Sequence, residues 1–246
     1  MPVQFENFTH SFPLNGKPVF APNDLGRRIG EDIKATVETA YEFEPFFYHL
    51  TSGGHVASLH AHRENEFFCK ADIENFFYSV SRNRVVRTLR EVGVTRAKHY
   101  GKWSCVKNPY DSPRYALPYG FVQSPILASL ILSTSAVGSF LRRISKEEVT
   151  VGVYVDDISL SSNDPNKLRH CYAGLLSAME EAALHANPSK CVPPAREVDI
   201  FNCHLKKEST EVLEERRQEF FSVPRSGYSA EAFERYCDRV TDGNRK

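Results

Sequence analysis

No excess of either charge runs through this sequence: 31 lysines and arginines are balanced by 31 aspartates and glutamates. The global basic surplus expected of a nucleic-acid binder is therefore missing. No apolar run approaches the roughly 18 residues that a membrane-spanning helix needs, so no membrane partner is expected. Cysteine is sparse and scattered. None of the six (Cys69, Cys105, Cys171, Cys191, Cys203, Cys237) falls in a Cys-x-x-Cys pair, which removes the usual zinc spacing and leaves small buried apolar side chains in a reducing compartment. The opening Met1-Pro2-Val3-Gln4-Phe5-Glu6 has no basic stretch leading into an apolar one. No secretory leader is expected, and a cytoplasmic location follows as the default. Internal repeats and low-complexity linkers are also missing.

What is present is an ordinary globular composition, 41% hydrophobic and 25% charged over 246 residues, enough for one large domain or two intimately packed ones. Charge is uneven locally. Between Arg82 and Lys107 there are eight basic residues and one acid, Glu91, a segment that suits phosphates and a solvated helix face equally well. Residues 1–23, punctuated by Pro13, Pro18 and Pro22, read as loop. Leu25, Ile29, Ile33 and Val37 repeat at a spacing of four and predict a helix over 24–40. A strand is expected in Phe67–Ile73, a helix capped by Ser81 reaching about Val92, and irregular chain over 93–117. Ser124-Pro125 opens an apolar helix expected to run to about Ile144. A β-hairpin is expected over 149–162, a helix over 165–186, short strands over 198–205 and a helical stretch over 211–240. Strands interspersed with helices around an antiparallel hairpin indicate an α+β fold.

The chemistry concentrates in acids. Tyr154-Val155-Asp156-Asp157 places adjacent carboxylates among Val151, Val153, Ile158 and Leu160, and unpaired anions in apolar surroundings are strongly disfavoured. A hairpin turn alone accounts for an isolated Asp-Asp pair. Asp72 adds a third carboxylate, closing the apolar strand Phe67–Ala71. Three acids delivered by two strands suit two magnesium ions, which take hard oxygen ligands and keep positions for substrate phosphates. Such a pair can activate a 3′-hydroxyl and stabilise leaving pyrophosphate.

These strings resemble, in order and spacing, the motifs of bacterial reverse transcriptases. KADIENFF (70–77) resembles their first catalytic motif, LPYGFVQSPILASL (117–130) their second and VYVDDISLSS (153–162) their Tyr-x-Asp-Asp hairpin. LHANPSKC (184–191) resembles the fourth motif, and VDIFNCHL (198–205) stands where the primer grip would. The resemblance implies a right-hand polymerase with fingers and palm, the antiparallel palm sheet backed by helices, and a truncated thumb. Its divisions would be fingers over 1–68, palm over 69–205 with a fingers-like insertion around 93–117, and the thumb remnant or C-terminal helix over 206–246. Asp72, Asp156, Asp157 and the Ile73 carbonyl would hold two Mg2+ ions, with Mn2+ as a substitute. Lys190 would protonate leaving pyrophosphate or place positive charge near it, although a solvated loop lysine is the plain alternative. Phe77 would exclude a ribose 2′-hydroxyl, or simply pack beside Phe76, since strand alternation turns one of the two inward. Gly120 would let backbone approach the nascent pair, and Ser124 would be a helix cap.

The sequence also departs from the family pattern. Tyr119 stands where the family usually has Gln, touching the incoming nucleotide. No Lys-x-Arg pair is present near the N-terminus to grip the triphosphate, leaving Lys17, Arg27, Arg28, Arg63 and Lys70 as candidates. His62 lies ten residues before Asp72, as in retron enzymes, but Ser58-Leu59 replace their Asn-Ala, and Phe201-Asn202-Cys203 replace their Val-Thr-Gly. The pattern looks closer to defence-associated, abortive-infection-type enzymes. The resemblance thus implies an RNA-directed DNA polymerase acting in anti-phage defence. Its expected partners are deoxynucleotides, a DNA product and an RNA template, read as a structured noncoding RNA. A second subunit or self-association would complete the clamp. Template-independent or protein-primed synthesis and a catalytically silent RNA-binding subunit are the alternatives.

Overall fold

A computed structural model describes residues 6–245; Met1–Phe5, most of the stretch read above for a leader, lie outside the described residues, as does Lys246. The chain divides into two compact units, each discontinuous in sequence. The first comprises the residues up to Glu44, Ile73–Ser139 and Glu181–His185. The second comprises Pro45–Asp72, Phe140–Glu180 and the residues from Ala186 onward.

The chain begins with a hairpin where loop was expected: β1 (Phe8–Leu14) pairs antiparallel with β2 (Lys17–Pro22). Asn15-Gly16 makes the turn, with φ of 49° and 74°, the two left-handed residues that best match strand twist in a tight hairpin. Pro13 and Pro18 face each other across the ladder. A proline whose nitrogen faces away from the partner strand costs no ladder bond. The Asn-Gly signal outweighs the prolines. Helix α1 (Asp24–Ala40) has the expected limits, and the Asn23 side chain accepts the Gly26 N–H at 2.7 Å.

Next come α2 (Gly54–His62), β3 (Phe67–Asp72), the short α3 (Phe76–Ser79) and α4 (Arg82–Glu91), which Ser81 caps by accepting the Arg84 N–H. The segment expected to be irregular contains α5 (Ala97–Ser104) and a small ladder of β4 (Val106–Lys107) with β5 (Tyr115–Ala116). The apolar helix expected over 124–144 is broken into α6 (Ser124–Ser133) and α7 (Ala136–Ile144). Thr134 and Ser135 turn their hydroxyls back onto the Leu130 and Leu132 carbonyls, at 2.8 and 2.7 Å, and Ser135 accepts the Val137 N–H. Such local bonds compete with a continuing helix. Gly138 permits the sharp bend, since a Cβ there would lie 1.9 Å from the Ser133 carbonyl oxygen.

The expected hairpin is β6 (Thr150–Tyr154) and β7 (Asp157–Ser162), followed by α8 (Pro165–Glu181) and β8 (Val192–Ala195). Then β9 (Glu197–Ile200), β10 (Cys203–Lys206) and β11 (Ser209–Val212) form a three-stranded antiparallel sheet. The helical stretch expected over 211–240 resolves into α9 (Glu214–Phe221) and α10 (Gly227–Thr241). Pro224 lies between them, and Ser226 caps the second.

The first unit packs around Phe8, Phe20, Tyr78, Val106, Ala116 and Phe121. The second is built on a four-stranded antiparallel sheet of order β6-β7-β3-β8. β3 lies between β7 and β8, and Phe68, Cys69 and Ala71 are all buried. Both faces of the strand are therefore covered, which accounts for its nearly continuous apolar run. Phe68 joins Leu59, the β9–β11 sheet and the inner face of α10 in one apolar cluster. The fold is mixed α+β, and no single described helix is long and apolar enough to cross a membrane.

Candidate active site

Strand register decides where the acids go. β3 runs antiparallel to β7 with Asp72 directly opposite Asp157. β6 returns through a two-residue loop, Val155-Asp156, with Tyr154 opposite Asp157. Directly opposed residues of an antiparallel pair lie on one face, with Cβ atoms about 5 Å apart. Two acids remote in sequence are thereby neighbours, and Asp156 lies next to them on the loop. Val155 has φ of +58°, a costly conformation for a β-branched residue.

Lys190 completes the group. Its Nζ lies 3.1 Å from Asp72 Oδ2, while the Asp72 side chain is only 5% exposed. The loop that carries Lys190 is anchored at Asn187. The Asn187 N–H donates to the Asp72 carbonyl at 2.8 Å, and its own carbonyl and side-chain oxygens accept from Lys190, Cys191 and Ser189. The Asn and Lys of the fourth motif thus act together, one fixing the loop and the other delivering an ammonium group to the end of β3.

The electrostatics are those of crowded anions. The Asp157 carboxyl is pushed up to about 6, first by burial and then by Asp156 and Asp72, against the opposing pull of Lys70 and Lys190. Excess negative charge of this kind favours a cation, and a set made only of carboxylate oxygens fits a hard divalent ion. Among the described residues no three His, Cys, Asp or Glu side chains stand close enough to hold a metal as they are. The donor chemistry fits, and among the described residues the carboxylates are not gathered into a preformed cage.

The nucleotide-binding candidates Ile73, Phe77, Tyr119 and Gly120 belong to the first unit. Ile73 is buried. Phe76 and Phe77 occupy a helical turn rather than a strand, so both are buried and alternation does not choose between them. Phe77 meets Tyr119 edge-on at 4.7 Å, and Lys17 Nζ donates to the Tyr119 hydroxyl at 2.9 Å. The Lys17–Tyr119 bond had no sequence signal beyond the tyrosine replacing glutamine. Gly120 has φ of +99°, and a Cβ there would lie 2.2 Å from the Phe20 carbonyl oxygen. The close approach that demands glycine is made by β2. Gly120→Ala is therefore expected to destabilise the protein by about 2 kcal/mol or more, since both backbone strain and a backbone clash oppose it; a lowered urea midpoint checks this. Ser124 lies at the start of α6, and its buried hydroxyl has no hydrogen-bond partner, so no capping bond is made.

Other basic candidates sort by their contacts. Arg63 donates to the Asp242 carbonyl and Asn244, which ties it to the end of α10. Lys70 donates to the Asp199 carbonyl. Arg27 and Arg28 are exposed on α1.

A family profile described as reverse transcriptase (RNA-dependent DNA polymerase) matches residues 17–205. No curated protein matches the chain. Among solved structures, telomerase from Candida albicans in complex with a TWJ fragment of telomeric RNA is similar with a TM-score of 0.56 and 13% identity. That match covers 76% of this chain and 38% of the other. A foamy viral protease-reverse transcriptase dRH in complex with double-stranded DNA is similar with a TM-score of 0.52 and 15% identity, over 90% of this chain and 33% of the other. The chain thus spans less than two fifths of either structure, and at such identities the likeness is one of fold.

Proposed function

We propose, for a chain that belongs to the reverse transcriptase (RNA-dependent DNA polymerase) family, that it copies RNA into DNA by two-metal nucleotidyl transfer in bacterial anti-phage defence. The observation that carries the polymerase reading is the register of Asp72 against Asp157, with Asp156 beside them and Lys190 on Asp72. Asp72, Asp156 and Asp157 would hold the magnesium ions. When bound, such ions supply Lewis-acid activation of a 3′-hydroxyl and charge neutralisation for pyrophosphate.

The chain's own residues do the rest. Asp72 and Asp157 present acceptor oxygens from adjacent strands, so neither can shift without disturbing the ladder. Lys190, with a half-exposed side chain held near Asp72, carries positive charge and a proton that a leaving phosphate can take. Phe77, Tyr119 and Gly120, together with Ile73, are assigned to nucleotide binding. Lys17, paired with the Tyr119 hydroxyl, is the favoured cation for the triphosphate.

The defence role and a structured noncoding RNA template rest on the motif pattern, in which Ser58-Leu59 and Phe201-Asn202-Cys203 replace the retron signatures. The Lys17–Tyr119–Phe77 cluster also motivates a second reading: the same acids extend DNA with little or no template, or from a protein hydroxyl.

Purified protein is expected to incorporate labelled deoxynucleotides on a primed RNA template only when Mg2+ or Mn2+ is added. Product sequence that follows the template supports the first reading; product unrelated to any template, or DNA attached to protein, supports the second. If no template, primer or metal yields incorporation, both fail. Sequencing of co-purifying RNA checks the noncoding partner.

A further inference from the structure

His49 lies outside every motif, yet it contacts the backbone of the loop that carries Asp156 and leads into Asp157. Its Nδ1 is 3.1 Å from the Val155 nitrogen, and a backbone amide can only donate, so the ring nitrogen accepts. We propose that His49 is a positioning residue: by accepting the Val155 N–H it holds the strained Val155-Asp156 loop in the conformation that sets Asp157 opposite Asp72. This deepens the polymerase reading and rests on it.

A left-handed valine is the starting point. Val155 at φ +58° is strained, and strain of this kind persists only where the surroundings over-determine it. Within the hairpin the ladder ends at the Tyr154–Asp157 pair, so the ladder itself does not fix the loop amide. Its bond to His49 does.

The ring is held well enough to serve. His49 lies on a 3-10 turn, Tyr48–Leu50, next to the fully buried Phe47. Phe47 forms a parallel bridge with Val153, and the Val153 N–H donates to the Phe46 carbonyl at 2.8 Å. Residues 46–50 are thus zipped along the outer edge of β6, and His49 falls level with the loop. Its ring meets Phe47 edge-on at 6.1 Å and Tyr154 edge-on at 5.7 Å, which fixes its rotation. The Tyr154 ring in turn meets His55 and Phe201, at 5.8 and 5.3 Å.

Protonation state agrees with the geometry. Burial lowers the His49 pKa, so the ring is neutral near pH 7 and, with Nδ1 accepting, carries its proton on Nε2. The Val153 carbonyl lies 3.4 Å from the same Nδ1. A ring with its proton on Nδ1 would turn from accepting Val155 to donating there, and the loop amide would lose its partner.

The test compares His49→Ala with His49→Asn, whose amide oxygen can take the place of Nδ1. His49→Ala is expected to lower kcat for nucleotide addition about 10- to 100-fold, the cost of small misplacement of reacting groups. KM for deoxynucleotide should change less than about twofold, and His49→Asn should recover most of kcat. A readout without turnover is amide hydrogen exchange: the Val155 N–H should be protected in the wild type and His49→Asn and should exchange rapidly in His49→Ala. Unchanged Val155 exchange in a folded His49→Ala protein overturns the proposal, as does wild-type kcat in that variant. Equal losses in both variants, matched by a fall in Tm, mark a merely structural role and overturn it too. If the wild type makes no DNA, the polymerase reading fails while the exchange comparison still decides whether His49 holds the loop. If His49→Ala does not fold, His49→Asn decides: a protected Val155 amide with near-wild-type kcat supports the proposal, and an unprotected amide overturns it.

Discussion

Asp72→Asn is expected to lower metal-dependent nucleotide incorporation by about 10³-fold or more while leaving the protein folded and no less stable at neutral pH. The metal ions that Asp72 would help to hold would neutralise developing charge, an effect worth several kcal/mol in the transition state, and each 1.36 kcal/mol is tenfold in rate. Asparagine has nearly the same shape as aspartate, so the buried end of β3 keeps its packing. Two charge terms then change. While the buried Asp72 side chain sheds the desolvation cost of a carboxylate, the contact with Lys190 is weakened, though that lysine is 55% exposed and stays solvated. Against this, one of the anions that pushes the Asp157 carboxyl up to about 6 disappears. Relief of like-charge crowding offsets the lost ion pair. Activity and stability should therefore part company, which a loss caused by misfolding would not produce. Incorporation assays run beside urea titrations of the two proteins check both halves. An Asp72→Asn enzyme that polymerises at the wild-type rate would remove the basis of the assigned chemistry.

Much of this arrangement could be read from residues alone, and the reason is local. Asp72 closes an apolar strand, Asp156-Asp157 interrupt an apolar hairpin, and Asn187 and Lys190 follow a long helix at fixed spacing. Each signal sits within a few residues of the next, and chain order then supplies the partners. The helices capped by Asn23 and Ser81 were legible for the same reason. What escaped depends on contacts remote in sequence. His49 reaches Val155 only because residues 46–50 run beside β6. Arg63 read as a candidate phosphate ligand, but its partners come from the last residues of the chain. Tyr119 was flagged as a substitution, whereas its bond to Lys17 required the β1–β2 hairpin to exist. That hairpin and the break after Ser133 depart from expectation because Asn15-Gly16 sets a turn in a segment whose prolines read as loop, and Ser133-Thr134-Ser135 ends a helix that the apolar pattern extends. In both places short polar segments decided the backbone against the broader pattern.

Acidification is expected to expose a different weakness, at His62. The ring is fully buried, with Nδ1 2.7 Å from the Ser161 hydroxyl and Nε2 2.8 Å from the Ser159 hydroxyl. Gly152 closes the site from β6, where a Cβ would lie 2.7 Å from His62 Nε2. Burial lowers the His62 pKa to about 4, whereas an unfolded histidine titrates near 6.5. The folded value is depressed, so the unfolded chain takes up the proton first. Stability from this group is complete above about pH 6.5, falls as pH drops toward 4, and levels off below. The difference, about 2.5 pH units, corresponds to about 3 kcal/mol. Asp157 works in the opposite sense over an overlapping range, because its raised value makes the folded protein hold a proton between about 6 and 3.8 and gain stability there. The wild-type curve alone therefore understates the histidine. Urea midpoints of the wild type and His62→Gln between pH 7 and 4 separate the two, because glutamine can meet the same hydroxyls and does not titrate. The gap between the proteins should narrow or reverse by about 3 kcal/mol on acidification, and a gap independent of pH would mean that His62 titrates alike in the folded and unfolded protein.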